Sequence, residues 1–232
     1  MTFDEWLREF TEEAARRSTR PDPEWTSGTA LHPELVRSVQ RFQVGENGDG
    51  ANLIAKAGDG AYGQAARLFV AEEQNHARLL AGVLAANGAS TIASCWTDVV
   101  FVWLRRALGL RLELMVLTVA EAVALTYYRV LRDGVTDRLT AEVAGRLLAD
   151  ERRHVRFHRD SLSAYGRLPF PILLLWRVLF LGAVVVVALD HRRALRVLGV
   201  SGRAFVRESL THFAVVSNPT RSGDTVHSVG AR

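Results

Sequence analysis

Two five-residue words hold the residues best suited to chemistry: EEQNH at 72–76 and DERRH at 150–154. Each contains Glu-x-x-His behind a second carboxylate, and each lies inside an apolar pattern of helical period. On a helix, positions i and i+3 project from one face about 60° apart. Glu73 with His76, and Glu151 with His154, can therefore each offer a carboxylate and an imidazole to one ion. Two further glutamates, Glu46 and Glu121, precede these pairs by 27 and 30 residues, so one unit is written twice. Four carboxylates and two imidazoles match the charge of two divalent ions. Without metal, buried carboxylates are costly or stay protonated. An oxygen-rich set with two imidazoles suits iron or manganese. The alternative is a pair of buried, hydrogen-bonded Glu/His pairs with no metal; one Glu-x-x-His arises easily by chance, two copies at matched depth far less so.

The elements that must position these residues are helices. No proline falls between 34 and 168, and β-branched alternation is almost absent. Turn residues at 58–60, 87–90 and 133–137 divide this run. The pattern predicts four helices, over about 33–57, 61–86, 109–132 and 138–165. Their apolar stripes are each interrupted near the middle by a ligand-type residue. Short turns make antiparallel neighbours. Glu46 and Glu73 lie 13 and 14 residues either side of the first turn, Glu121 and Glu151 14 and 16 either side of the last, so each pair faces at equal depth. The connection 87–108 is long enough to cross the bundle, with a short helix expected at about 96–107.

Glu46, Glu73-x-x-His76, Glu121 and Glu151-x-x-His154 together resemble the ligand set of the ferritin-like superfamily of di-iron carboxylate proteins. The resemblance covers about 33–165. It implies an all-α fold: a ferritin-like four-helix bundle with a long crossover between the second and third helices, here with extra C-terminal helices. It also implies two iron ions, with manganese or a mixed pair as variants. Members include ferritins and bacterioferritins, rubrerythrins, ribonucleotide reductase small subunits, desaturases and oxygenases. No rubredoxin-type cysteine set is present, Gln74 follows Glu73 where a haem-ligating methionine would stand, and Leu80 occupies the radical-tyrosine position. These departures favour a small oxidase or oxygenase that uses dioxygen, an unidentified electron donor and a small apolar substrate, expected as a homodimer. The rivals are a ferroxidase or peroxide scavenger without organic substrate, a membrane-associated di-iron enzyme acting on a lipid or quinone, and a tRNA hydroxylase.

Metal-bound imidazoles usually give their other N–H to a carboxylate. Asp150 is expected to reach His76 across the bundle, and Glu72 to reach His154. His158, one turn beyond His154, is a further ligand, a proton relay or a hydrogen-bonded core histidine. Tyr128, two turns beyond Glu121, has a redox or proton role or simply packs. Arg129, Arg152 and Arg153 are expected to face water or pair with acids.

Composition narrows the class. In 232 residues there is one cysteine, Cys95, which excludes a disulfide framework. The net charge of +4 comes from arginines scattered along helices, which argues against a nucleic-acid surface. No signal peptide is visible at the start, and a cytoplasmic location is expected, peripheral to a membrane at most. The chain divides into an N-terminal extension (1–32, much of 18–31 expected disordered), the bundle (33–168), an apolar fifth helix with a helical segment (169–216) and a disordered tail (217–232). Residues 169–189 nearly reach the length of a bilayer span, but Arg177 stands near their middle, so packing on the bundle or at a subunit interface is favoured over membrane insertion.

Overall fold

The computed structural model describes residues 1–106 and 109–217. All regular structure among them is helical: α1 (Phe3–Thr19), α2 (Pro33–Glu46), α3 (Ala51–Ala57), α4 (Ala61–Ala86), α5 (Trp96–Arg106), α6 (Leu110–Gly134), α7 (Arg138–Ser163), α8 (Phe170–Asp190), α9 (Arg192–Val197) and α10 (Gly202–Ser217), with one 3₁₀ turn at Trp25–Ser27. Local signals start these helices where the chain needs them. Thr2 and Glu5 form a capping box on α1, Pro33 opens α2, and the Asp137 carboxylate accepts the Thr140 N–H at 2.8 Å to open α7. Only three residues separate α6 from α7, so the two run antiparallel in the most extensive pairing of the molecule. α2 packs on α4, and α4 on α7. The core between them is built from Val39, Leu80, Val83, Tyr127, Leu131, Val143 and Leu147.

The helix expected over 33–57 is instead two. The sequence GENGDG at 45–50 breaks it, and Gly50 takes φ +62°, which a side chain adopts only under strain. A Cβ there would also stand 2.4 Å from a Val70 methyl. Asp49 then accepts the Ala51 N–H at 3.1 Å and restarts the chain as α3. Glu46 thus ends α2 rather than sitting inside a longer helix.

Disorder over 18–31 is also overturned. α1 lies along α4 and sinks Trp6 and Phe10 to zero exposure against Phe157. The polar segment that follows spends its groups on α4 and α7. Asp22 takes a bidentate pair from Arg78 at 2.9 Å, Arg146 donates to the Pro21 carbonyl at 3.0 Å, and Thr29 N–H donates to Asp137 at 2.7 Å. Trp25 lies over Gly82, where a Cβ would come within 2.4 Å of the ring.

Among the described residues two helices, α6 and α8, are long and apolar enough to cross a membrane by length and composition. α6 is a core helix, with 78% of its apolar window buried; α8 buries 22% of its own. α8 packs through Trp176, Phe180, Val184 and Ala188 against α6 and α10 and leaves its other side open. Ser201 opens α10 by accepting the Ala204 N–H at 3.2 Å. Residue 107 of the expected short helix and residues 218–232 of the expected tail lie outside the described residues.

Candidate metal centre

Four helices each bring acidic or imidazole groups to one point: α2 brings Glu46, α4 brings Glu73 and His76, α6 brings Glu121, and α7 brings Glu151 and His154. Nδ1 of His76 lies 3.7 Å from Glu46, 3.5 Å from Glu73 and 3.5 Å from Glu151. Nδ1 of His154 lies 3.0 Å from Glu73, 3.5 Å from Glu121 and 3.7 Å from Glu151. One ligand atom from each of Glu73, His76, Glu151 and His154 falls within 4.8 Å of all the others, a group that could hold a metal ion. Both imidazoles are fully buried, and Glu73 keeps the most exposure of the set, 19% of its side chain.

The far side of each ring is held from across the core. Nε2 of His76, on α4, lies 3.1 Å from Asp150 on α7; Nε2 of His154, on α7, lies 2.8 Å from Glu72 on α4. Burial pushes the Glu72 carboxyl up, but the His154 hydrogen bond with the His154 and Arg153 charges outweighs it and holds the group at about 2. Asp150 is likewise lowered: burial is opposed by the His76 hydrogen bond and the His76 and Arg153 charges. Both carboxylates are therefore acceptors, which requires the ring proton on Nε2 and turns each Nδ1 inward.

A cation fits what lies inside. Among the described residues, Nδ1 of His76 and of His154, one oxygen of Glu73 and both oxygens of Glu151 are buried without a hydrogen-bond partner. Such convergent orphans are expensive unless protons or a metal satisfy them. In the metal-free chain protons do so. Burial and the Glu121 charge raise Glu151 to about 8, and burial with the Glu46 and Glu121 charges raises Glu73 well above the usual range. Burial lowers both histidines, but the carboxylates of Asp150, Glu151 and Glu46 around His76, and of Glu121, Glu151, Glu72 and Glu73 around His154, favour the charged rings and raise them well above it. Glu121 stays well below its usual range, because the neighbouring His154, His158 and Glu151 groups outweigh its burial. A set that holds extra protons this way is one from which a divalent ion displaces them.

His158 is fully buried at the rim, with Nε2 3.5 Å from Glu121 and the ring edge-on to Phe69. Tyr128 donates to Glu46 at 2.5 Å, so its hydroxyl touches the cluster directly. Arg129 pairs with Glu208 and Asp133, and Arg152 is exposed, as expected of surface arginines. Arg153 pairs with acids, as expected, but does so inside the core. It is buried and donates one nitrogen to Glu72 at 2.7 Å and to Asp150 at 2.8 Å, tying together the two carboxylates that hold the imidazoles. The signal for it was the Asp150–Arg153 spacing of three on one helix. Arg17 of α1, 2.9 Å from the other Glu72 oxygen, left no such local trace.

Two cavities lie toward the N-terminal end of α6. The larger, about 480 Å³, is lined by Leu110, Leu112, Met115, Tyr165, Leu168 and Ile172 among others; the smaller, about 190 Å³, by Phe3, Tyr62, Leu114 and Tyr165 among others. None of the six cluster residues lines either one. Comparison with protein-family models, with curated proteins and with solved structures returned no match, so the chain stands as an all-helical protein with a Glu/His group able to hold a metal ion.

Proposed function

We propose that the cluster binds two iron ions, with manganese as the variant in one or both positions, and that the protein is an oxidoreductase that uses dioxygen on a ferritin-like bundle. One observation carries the reading: the crossed pairing of the two imidazoles. Each turns Nδ1 into the same carboxylate-lined space, while its Nε2 is held by a carboxylate from the other Glu-x-x-His helix. Buried Glu/His pairs that serve only packing need no such arrangement.

A metal pair bound there would supply redox chemistry toward dioxygen. The chain's own residues hold and tune it. Glu46, Glu73, Glu121 and Glu151 with the two histidines form the ligand set. Asp150 and Glu72 fix the ring orientation and raise the basicity of Nδ1. Tyr128 keeps a proton at Glu46. The packing of Phe10, Phe69 and Phe157 around His154 excludes water on that side.

The test is an anaerobic Fe(II) titration followed by admission of oxygen. Saturation at about two irons per chain, with a transient near-ultraviolet or visible band, supports the reading. Glu73→Ala with Glu151→Ala should abolish binding; full occupancy in that double variant would overturn the ligand assignment. Uptake far beyond two would move the function to iron storage or detoxification, and no uptake would leave the cluster a proton-filled structural core.

A further inference from the structure

α8 has two unlike sides. Its inner side is anchored: Trp176 donates to the Met115 carbonyl at 3.1 Å, and Phe180 stacks on Phe213 at 4.0 Å between centroids. Its outer side is aliphatic and open. Leu174, Leu175, Val178 and Leu189 are 51 to 61% exposed, and Phe170 at its start is 71% exposed. Between Phe170 and Leu189 the one charged residue is Arg177. It follows buried Trp176 and so lies only about 100° round the helix from the anchored side, off the centre of the open face. Exposed arginines bracket the face along the axis, Arg167 before it and Arg192 and Arg196 after it. The acid at the end of α8, Asp190, is neutralised by Arg41 at 3.0 Å. A contiguous face of this kind marks a binding surface.

Its chemistry selects among occupants. A second copy related by a two-fold axis would bring Arg167 against its own counterpart or against Arg192 and Arg196, like charge on like charge. Protein interfaces also carry about one hydrogen bond per 100–200 Å², and this face offers no side-chain donor or acceptor at its centre. Acyl chains need none, and lipid phosphates take arginines. The helix is 21 residues, about 31 Å long, with cations at both ends and one on its flank. All of them reach headgroup depth together only when the helix lies parallel to the surface. An apolar cavity adjoins the same end, since exposed Ile172 is part of its wall.

We propose that the open face of α8 docks the protein on an anionic phospholipid bilayer, with the helix in the plane of the interface, aliphatic side chains among the acyl chains and Arg167, Arg192 and Arg196 at the phosphates. The proposal goes beyond the metal reading and does not depend on it. The experiment is flotation of the full-length chain, metal-loaded and metal-free, with vesicles of phosphatidylcholine alone or mixed equally with phosphatidylglycerol. Both forms should float with the mixed vesicles, at least about tenfold more than with the neutral ones, and less at high salt. Leu175→Glu with Val178→Glu should lose binding while keeping helix content and melting temperature, because both positions are exposed. Arg192→Glu with Arg196→Glu should lose the preference for anionic vesicles. The proposal is overturned if the wild type stays in solution with both vesicles, or if the Leu175/Val178 variant binds like wild type. It is also overturned if the chain forms a dimer that this variant dissociates and vesicles do not displace.

Discussion

At the scale of single residues, the site depends on a charge that none of the candidate metal ligands carries. Arg153 donates to Glu72 and Asp150, which in turn hold His154 and His76. Replacing it with Met keeps most of the volume but leaves two buried carboxylates facing each other. Removing one partner of a buried ion pair costs about 3–5 kcal/mol. Arg153→Met should therefore lower the urea midpoint of the metal-free chain sharply, whereas Arg152→Ala, one residue away on the exposed side, should stay within about 0.5 kcal/mol of wild type. Equal midpoints for the two variants would show that Arg153 is not a clamp.

At the scale of elements, the centre is framed by a break and by a helix that the repeat does not contain. The break at 47–50 relies on Gly50, with φ +62° and a Val70 methyl where its Cβ would be. Gly50→Ala should cost roughly 1–3 kcal/mol, seen as a lowered melting temperature, and an unchanged one would mean that the turn relaxes freely. Phe10→Ala in α1 should cost about 3–5 kcal/mol, because the ring fills space between Trp6, Phe157 and His154. These two features also mark where the sequence is hard to read. The four segments that carry the candidate ligands announce themselves through period and punctuation, and the crossed pairing of Asp150 with His76 and Glu72 with His154 follows from their place one residue before each glutamate. The break was visible as three glycines in six residues, yet the apolar stripe from Leu35 to Ala57 ran across it and argued for continuity. Nearly half of α1 is charged, and its few large apolar residues, Trp6 and Phe10 among them, gave a stripe too short to show that it is core. Arg17 and Glu13 reach the centre only through the docking of that helix, a long-range fact with no local signature.

At the scale of the whole molecule, folding, protons and metal compete at one place, and the competition sets how stability responds to pH. At the centre three carboxyls, Glu72, Asp150 and Glu121, have folded pKa values below their unfolded ones. Glu72, held at about 2, contributes stability that is present above its ordinary 4.5 and is lost as pH falls from there. Lowered Asp150 and Glu121 act in the same direction. At the centre two carboxyls and two imidazoles have folded values above their unfolded ones. Glu151, raised from 4.5 to about 8, contributes stability that is present below 4.5 and is lost as pH climbs through 8. Glu73, His76 and His154 share that sign. The metal-free chain should therefore be most stable near about pH 5 and melt earlier on both sides. On the proposed metal reading, a divalent ion would take the place of the inner protons and bind more tightly as they leave, and so stabilise most where the metal-free chain is weakest. Melting curves between about pH 3 and 9, in a chelator and in excess Mn(II), measure both effects. The chelated protein should lose melting temperature from pH 5 to 9, and Mn(II) should flatten that alkaline limb while leaving the acid limb steep. An alkaline limb that is flat without metal, or one that Mn(II) leaves untouched, would mean that the buried carboxylates and imidazoles are satisfied by one another and that the centre does not exchange protons for a cation.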